Sequence, residues 1–167
     1  GRPDGSALLA RLYRPLQSHA DEILPLLIYF HGGGWCVGDV PSYDVLCRQL
    51  ANASGCAVLS VEYRLAPEHP FPAATEEARF AFAWATDHAD LLAIDRERIA
   101  LGGDSAGGNL SIVTALALRG EEAQPRFLML VYPSTEIVST RASRDRYADG
   151  YFLDRETLHW FFERYLP

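Results

Sequence analysis

Arg98-Ile99-Ala100-Leu101-Gly102-Gly103-Asp104-Ser105-Ala106-Gly107-Gly108-Asn109 is the stretch whose reading decides the fold. Arg98 to Gly102 has the composition of a short strand. Asn109 to Arg119 reads as a helix of small and apolar residues, stopped by Gly120. Between them, Gly103 to Gly107 matches the pattern G-x-S-x-G, placed where a strand turns sharply into a helix. A serine on such a turn holds a strained backbone and projects its hydroxyl above the sheet edge. Gly103 and Gly107 leave the space that the close approach of strand and helix requires. The free N–H groups and positive dipole end of the following helix favour negative charge developing beside Ser105. Ser105 is therefore the candidate nucleophile, Ala106 N–H a candidate oxyanion donor, and Asp104 a supporting residue of the turn.

Working outward, Ala7 to Arg14 is rich in strand formers and ends at Pro15, which suits an edge strand. Leu26 to Phe30 (LLIYF) is an uninterrupted apolar run, as expected of a strand covered on both faces. Tyr43 to Ser54 has helical spacing with Gly55 as its stop, Ala57 to Tyr63 is a further strand, and Pro72 to Leu92 reads as one helix. Arg126 to Tyr132 (RFLMLVY) is expected to be a last buried strand. Strands alternating with helices predict right-handed β-α-β units and a mostly parallel sheet flanked by helices. Residues 1–133 then form the core. Residues 134–167, polar and Arg-rich before an aromatic helix from Arg155 to Leu166, look like a cap or covering segment.

Composition narrows the function. A formal charge of −7 over 167 residues argues against a nucleic-acid partner, since phosphate binding needs clustered positive charge. The longest apolar run is too short to span a bilayer, and no basic-then-apolar leader opens the chain, so neither a membrane span nor a signal peptide is expected. Cys36, Cys47 and Cys56 lack metal-ligand spacing, which points to a reduced, cytoplasmic setting and to no metal.

The second chemical signal is His31-Gly32-Gly33-Gly34-Trp35, directly after the buried strand. Successive glycines are entropically costly in a plain connector. They suit a loop whose N–H groups must approach a ligand without side chains in the way, as oxyanion stabilisation demands. Gly33 and Gly34 are the candidate donors, with Gly32 and His31 in support. His31 is better read as a local hydrogen-bonding residue than as a general base. A phosphate cradle would need the Lys and Ser/Thr of a P-loop, and both are missing.

Together with Tyr63 to Ala73 (YRLAPEHPFPA), these motifs, HGGGW and GDSAGGN, resemble the hormone-sensitive-lipase-like branch of α/β-hydrolase esterases, in order and at matching separations. The resemblance implies the α/β-hydrolase fold and a carboxylic-ester hydrolase of the bacterial esterase type, acting on small-molecule, short-acyl esters without a cofactor. It implies Ser105 as nucleophile and Gly33, Gly34 and Ala106 as oxyanion donors. Nothing in the sequence decides against a homodimer. The same scaffold also serves non-catalytic receptors, such as the plant gibberellin receptors, and amidase or dehydratase relatives; these stay open.

One departure stands out. The fold places its acid and its histidine after Ser105 in the chain, each on a loop following a further strand. Asp145 and His159 have that order, but no strand precedes either one, and His159 falls within the aromatic helix pattern. The acid and the histidine are therefore expected outside this chain, which reads as truncated at both ends.

Overall fold

In a computed structural model, residues 5–19 and 21–167 are described. Leu24–Phe30 forms β2, and its alternate side chains enter two separate cores. Leu24, Leu26, Ile28 and Phe30 join one cluster, while Leu27 and Tyr29 join the other. A strand covered on both faces has no polar side to show, which is why the run is continuously apolar.

Around it the sheet has five strands in the order β1-β3-β2-β4-β5, where β1 is Ala10–Tyr13, β3 Ala57–Val61, β4 Ile94–Asp104 and β5 Phe127–Val131. β1 runs antiparallel on β3, and the remaining pairs are parallel. Helix α1 (Asp44–Ser54) buries Cys47 and Ala51 in the cluster that contains Tyr29. The opposite face is covered by α2 (Ala73–Asp87) and α4 (Ala106–Ala117), through Ala74, Ala78, Phe82 and Leu110. The expected mostly parallel sheet flanked by helices is what the chain forms.

Several boundaries differ from expectation; β4, for one, starts at Ile94, four residues before Arg98. The helix after the serine starts at Ala106, three residues before Asn109, because Ser105 itself occupies the N-cap. The helix expected over 72–92 divides into α2 and a short α3 (Ala89–Leu92), with His88 between them at φ −109°. Among the described residues β5 pairs with β4 alone, and Phe127 is 64% exposed in this 167-residue chain.

Helices α5 (Ala142–Arg146) and α6 (Arg155–Tyr165) follow β5. Asp154 caps α6 by accepting from Thr157 N–H at 2.7 Å. Among the described residues, no helix is long and apolar enough to cross a membrane.

Candidate active site

The parallel pairing of β2 with β4 brings Phe30 opposite Gly103. The Gly-rich loop after β2 and the serine turn after β4 thus emerge side by side at the C-terminal edge of the sheet, where open α/β sheets bind ligands.

Ser105 has φ 51° and ψ −115°, a backbone conformation that costs a non-glycine residue of order 1–3 kcal/mol. It is held from several sides. Its N–H donates to Val131 C=O at 3.0 Å, and its own C=O accepts from Asn109 N–H and Ser134 N–H, each at 3.1 Å. Asn109 Nδ2 in turn donates to Ser134 C=O at 2.8 Å. Gly103 and Gly107 meet at this turn, so that a Cβ on Gly103 would come within 2.5 Å of the Gly107 carbonyl carbon. The first turn of α4 leaves the N–H of Ala106 without an acceptor among the described residues, at the positive end of the helix.

Opposite lies the loop His31 to Trp35. Gly33 has φ 111° and Gly34 φ 57°, conformations that a β-carbon disfavours. Gly33 C=O accepts from Cys36 N–H and Val37 N–H, both at 3.0 Å, which curls the loop back on itself. The N–H groups of Gly33 and Gly34, like that of Ala106, have no acceptor among the described residues.

His31 is fully buried. Its Nδ1 lies 2.7 Å from Gly32 C=O, its ring stacks on Tyr63 at 4.3 Å, and Tyr63 O–H donates to His31 C=O at 2.7 Å. Burial pushes the imidazole pKa down, outweighing the Gly32 contact and the more distant Glu62, Asp104 and Asp39 charges. A neutral ring that donates through Nδ1 to Gly32 orients the loop. Its Nε2 is buried and has no partner among the described residues.

Asp104 is 8% exposed and accepts from Tyr29 O–H at 2.8 Å, Tyr43 O–H at 2.9 Å and Gly32 N–H at 3.1 Å. The sequence reading missed both tyrosines. Tyr29 looked like one more residue of an apolar run, and Tyr43 like the start of a helix. The available signal was their phenolic oxygens, which need a partner once buried.

The aromatic helix α6 lies on the loop. Tyr165 stacks on the buried Trp35 at 4.3 Å, Tyr165 C=O accepts from Phe71 N–H at 2.8 Å, and the Phe161 ring fills the space into which a Cβ on Gly34 would project. The structure does not bring Asp145 and His159 together. Asp145 pairs with Arg155 at 2.7 Å, and His159 is exposed on α6. Tyr63 to Ala73 contributes Arg64, whose N–H and guanidinium both bond the buried Glu77 of α2, and carries no group into the site. Among the described residues there is no cluster of side chains able to hold a metal.

Residues 27–167 match the family described as alpha/beta hydrolase fold. This chain belongs to that family. Within it, the chain is 43% identical over 164 residues to an ethyl acetate hydrolase of Pseudomonas putida, covering 97% of this chain and 52% of that protein. It is 40% identical over 128 residues to the hormone-sensitive lipase of Mus musculus, covering 76% of this chain and 17% of the lipase. The crystal structure of an alpha/beta hydrolase enzyme from the metagenome of Lake Arreo, Spain, superposes with a TM-score of 0.93 at 46% identity, over 97% of this chain and 51% of that one. The likeness to hormone-sensitive lipase read from the three motifs thus extends over 128 residues of the chain. The chain spans about half the length of the ethyl acetate hydrolase and of the Lake Arreo enzyme.

Proposed function

We propose that this chain carries the nucleophile and oxyanion-binding part of a carboxylic-ester hydrolase for small-molecule esters of short acyl chains. The observation that carries the reading is Ser105, held at φ 51° at the head of α4 beside a glycine loop whose N–H groups lack acceptors. Ser105 Oγ attacks the ester carbonyl, and the oxygen that becomes negative is received by the N–H groups of Gly33, Gly34 and Ala106. His31, Gly32, Gly103, Asp104 and Gly107 hold that geometry. The alcohol leaves, and water hydrolyses the acyl-enzyme. This chemistry needs no metal or cofactor.

Attack requires a base for the Ser105 proton. Among the described residues no histidine hydrogen-bonds to Ser105: His31 is bonded to Gly32, and His88 to Trp84 C=O. The proposal places the base and its orienting acid outside these 167 residues. Residues 1–133 serve as the catalytic core, and residues 134–167 as a cover that rests through α6 on Trp35. A cytoplasmic setting fits the three free thiols of Cys36, Cys47 and Cys56, and a homodimer is the proposed assembly. The names of the relatives, an ethyl acetate hydrolase and a carboxylic ester hydrolase among them, support an ester substrate.

The test is hydrolysis of p-nitrophenyl acetate and butyrate by the full-length protein, with the matching anilides in parallel. Ester turnover that is lost in Ser105→Ala supports the proposal. Anilide turnover alone would make the protein an amidase, and saturable ligand binding with no turnover would make it a receptor.

A further inference from the structure

We infer that Asp104, with Tyr29 and Tyr43, positions the oxyanion loop relative to the nucleophile; the inference rests on the reading of Ser105 proposed above. Sheet pairing between β2 and β4 ends at Phe30 and Gly103. Past that point the loop has no ladder to hold it, and glycines at φ 111° and 57° give it little stiffness of its own. Its tie to the nucleophile turn runs through one backbone donor, Gly32 N–H. Gly32 N–H lies 3.1 Å from Asp104 Oδ1 and 3.1 Å from Tyr43 Oη, while Tyr43 O–H donates to Asp104 Oδ2 at 2.9 Å. Tyr29 O–H occupies the remaining side of Oδ1 at 2.8 Å.

Three donors on two oxygens satisfy a carboxylate that would otherwise be costly to bury. For stability alone, apolar groups of the same volume would serve as well or better. What they would not do is engage Gly32 N–H. The network therefore has a geometric task, and the chain shows what that task is. Asp104 is joined to Ser105 by one peptide bond, so the residue that fixes the loop also carries the nucleophile. With Gly32 N–H occupied, that group is removed from the oxyanion donors. Its neighbour is fixed from the other end. Gly32 C=O is held by His31 Nδ1 at 2.7 Å, and in a trans peptide the N–H of Gly33 points the opposite way. Asp104 and His31 thus clamp Gly32 on its two sides, and the following N–H groups stay aimed where an oxyanion forms. Displacements near 1 Å in such a site can cost about a hundredfold in rate.

Tyr43 also sits immediately before α1, and its ring lies 6.0 Å from Tyr29 and 5.5 Å from His31. The loop, the end of β4 and the start of α1 therefore meet at one carboxylate. Burial and the bond to Asp104 push both tyrosine pKa values well above the usual phenol range, so the hydroxyls stay donors throughout the working pH range.

The experiment compares wild-type full-length protein with Asp104→Asn, Tyr43→Phe and Tyr29→Phe. It measures kcat per active site titrated with a fluorophosphonate, KM on p-nitrophenyl butyrate, melting temperature, and Ki for a trifluoromethyl ketone, which forms a tetrahedral oxyanion on the serine. Positioning predicts that Tyr43→Phe and Asp104→Asn lower kcat per titrated site by about tenfold to a hundredfold, the range for losing a hydrogen bond to a charged group. KM should stay within about twofold, and the ketone Ki should rise in step with the loss in kcat/KM, because only the charged oxygen feels the change. Tyr29→Phe, which touches the carboxylate but not Gly32, should lose less than Tyr43→Phe.

A purely structural network would lower melting temperature and the titratable fraction, yet leave kcat per site and the ketone Ki unchanged. That result overturns the inference and leaves the esterase reading intact. If Asp104→Asn fails to fold, the two single-hydroxyl deletions decide by the same readouts. Wild-type protein that neither titrates nor turns over would remove the esterase reading, and this inference with it.

Discussion

Gly107 stands so close to Phe30 that a Cβ on it would lie 2.5 Å from the Phe30 carbonyl carbon. The head of α4 rests directly on the end of β2, backbone against backbone, and this contact sets the distance between the serine turn and the glycine loop. In Gly107→Ala neither side has a flexible group to yield, so the helix has to move. A loss of at least the roughly 1–3 kcal/mol typical of overpacking is expected, with kcat reduced because Ala106 N–H moves with the helix. Denaturant melts with kinetics on the same preparation check it; wild-type values in both would show that the contact is slack.

Gly33 and Gly34 should be intolerant for a different reason. A β-branched side chain at φ 111° or 57° strains the loop; at Gly33 it also meets the Val37 carbonyl, and at Gly34 the Phe161 ring. Gly33→Val and Gly34→Val are expected to lower kcat by roughly 10²–10³ with the protein still folded, the loss measured elsewhere for one oxyanion donor. Circular dichroism and steady-state kinetics together check it, and an unchanged kcat would reduce the loop to a connector.

The buried pair Arg64–Glu77 should matter for stability alone. Glu77 is 3% exposed and bonds both the guanidinium and the backbone N–H of Arg64. Removing one partner of a buried pair typically costs about 3–5 kcal/mol. Glu77→Ala should therefore shift the denaturation midpoint strongly. The protein that remains folded should keep wild-type kcat per titrated site, since neither residue enters the site.

His31 makes stability depend on pH. Burial lowers its pKa in the folded chain below the ordinary 6.5 that it recovers on unfolding. Below 6.5 the unfolded state takes up the proton more readily, so the stabilisation is complete above that pH and is lost as pH falls through the folded value. Stability measured between about pH 7.5 and 5.5 should fall for the wild type and fall less for His31→Gln. Parallel slopes would mean that other groups carry the pH dependence.

Most of the architecture was legible because parallel sheets leave strong marks. The apolar run Leu26 to Phe30 and the turn at Ser105 each imply a strand covered on both faces or a helix following at once, and both are found. The apolar composition of β5 marks a strand built to be covered, although Phe127 and Leu130 are exposed in these 167 residues. In the site, the glycines were visible because three in a row are costly in a plain connector. The tyrosines around Asp104 were not, since Tyr29 alternates with core residues and only the fold aims its hydroxyl at a carboxylate 75 positions away. Nor did the aromatic spacing of α6 tell that Phe161 would meet Gly34, a contact across the whole chain.

Covalent labelling asks whether Ser105 is the nucleophile. Full-length protein treated with a fluorophosphonate and digested for mass spectrometry should carry the phosphonyl group on Ser105. Ser105→Ala should lose both the label and p-nitrophenyl butyrate hydrolysis while keeping its fold. A label found on another serine, with Ser105 unmodified and activity retained in Ser105→Ala, would mean that Ser105 is not the nucleophile.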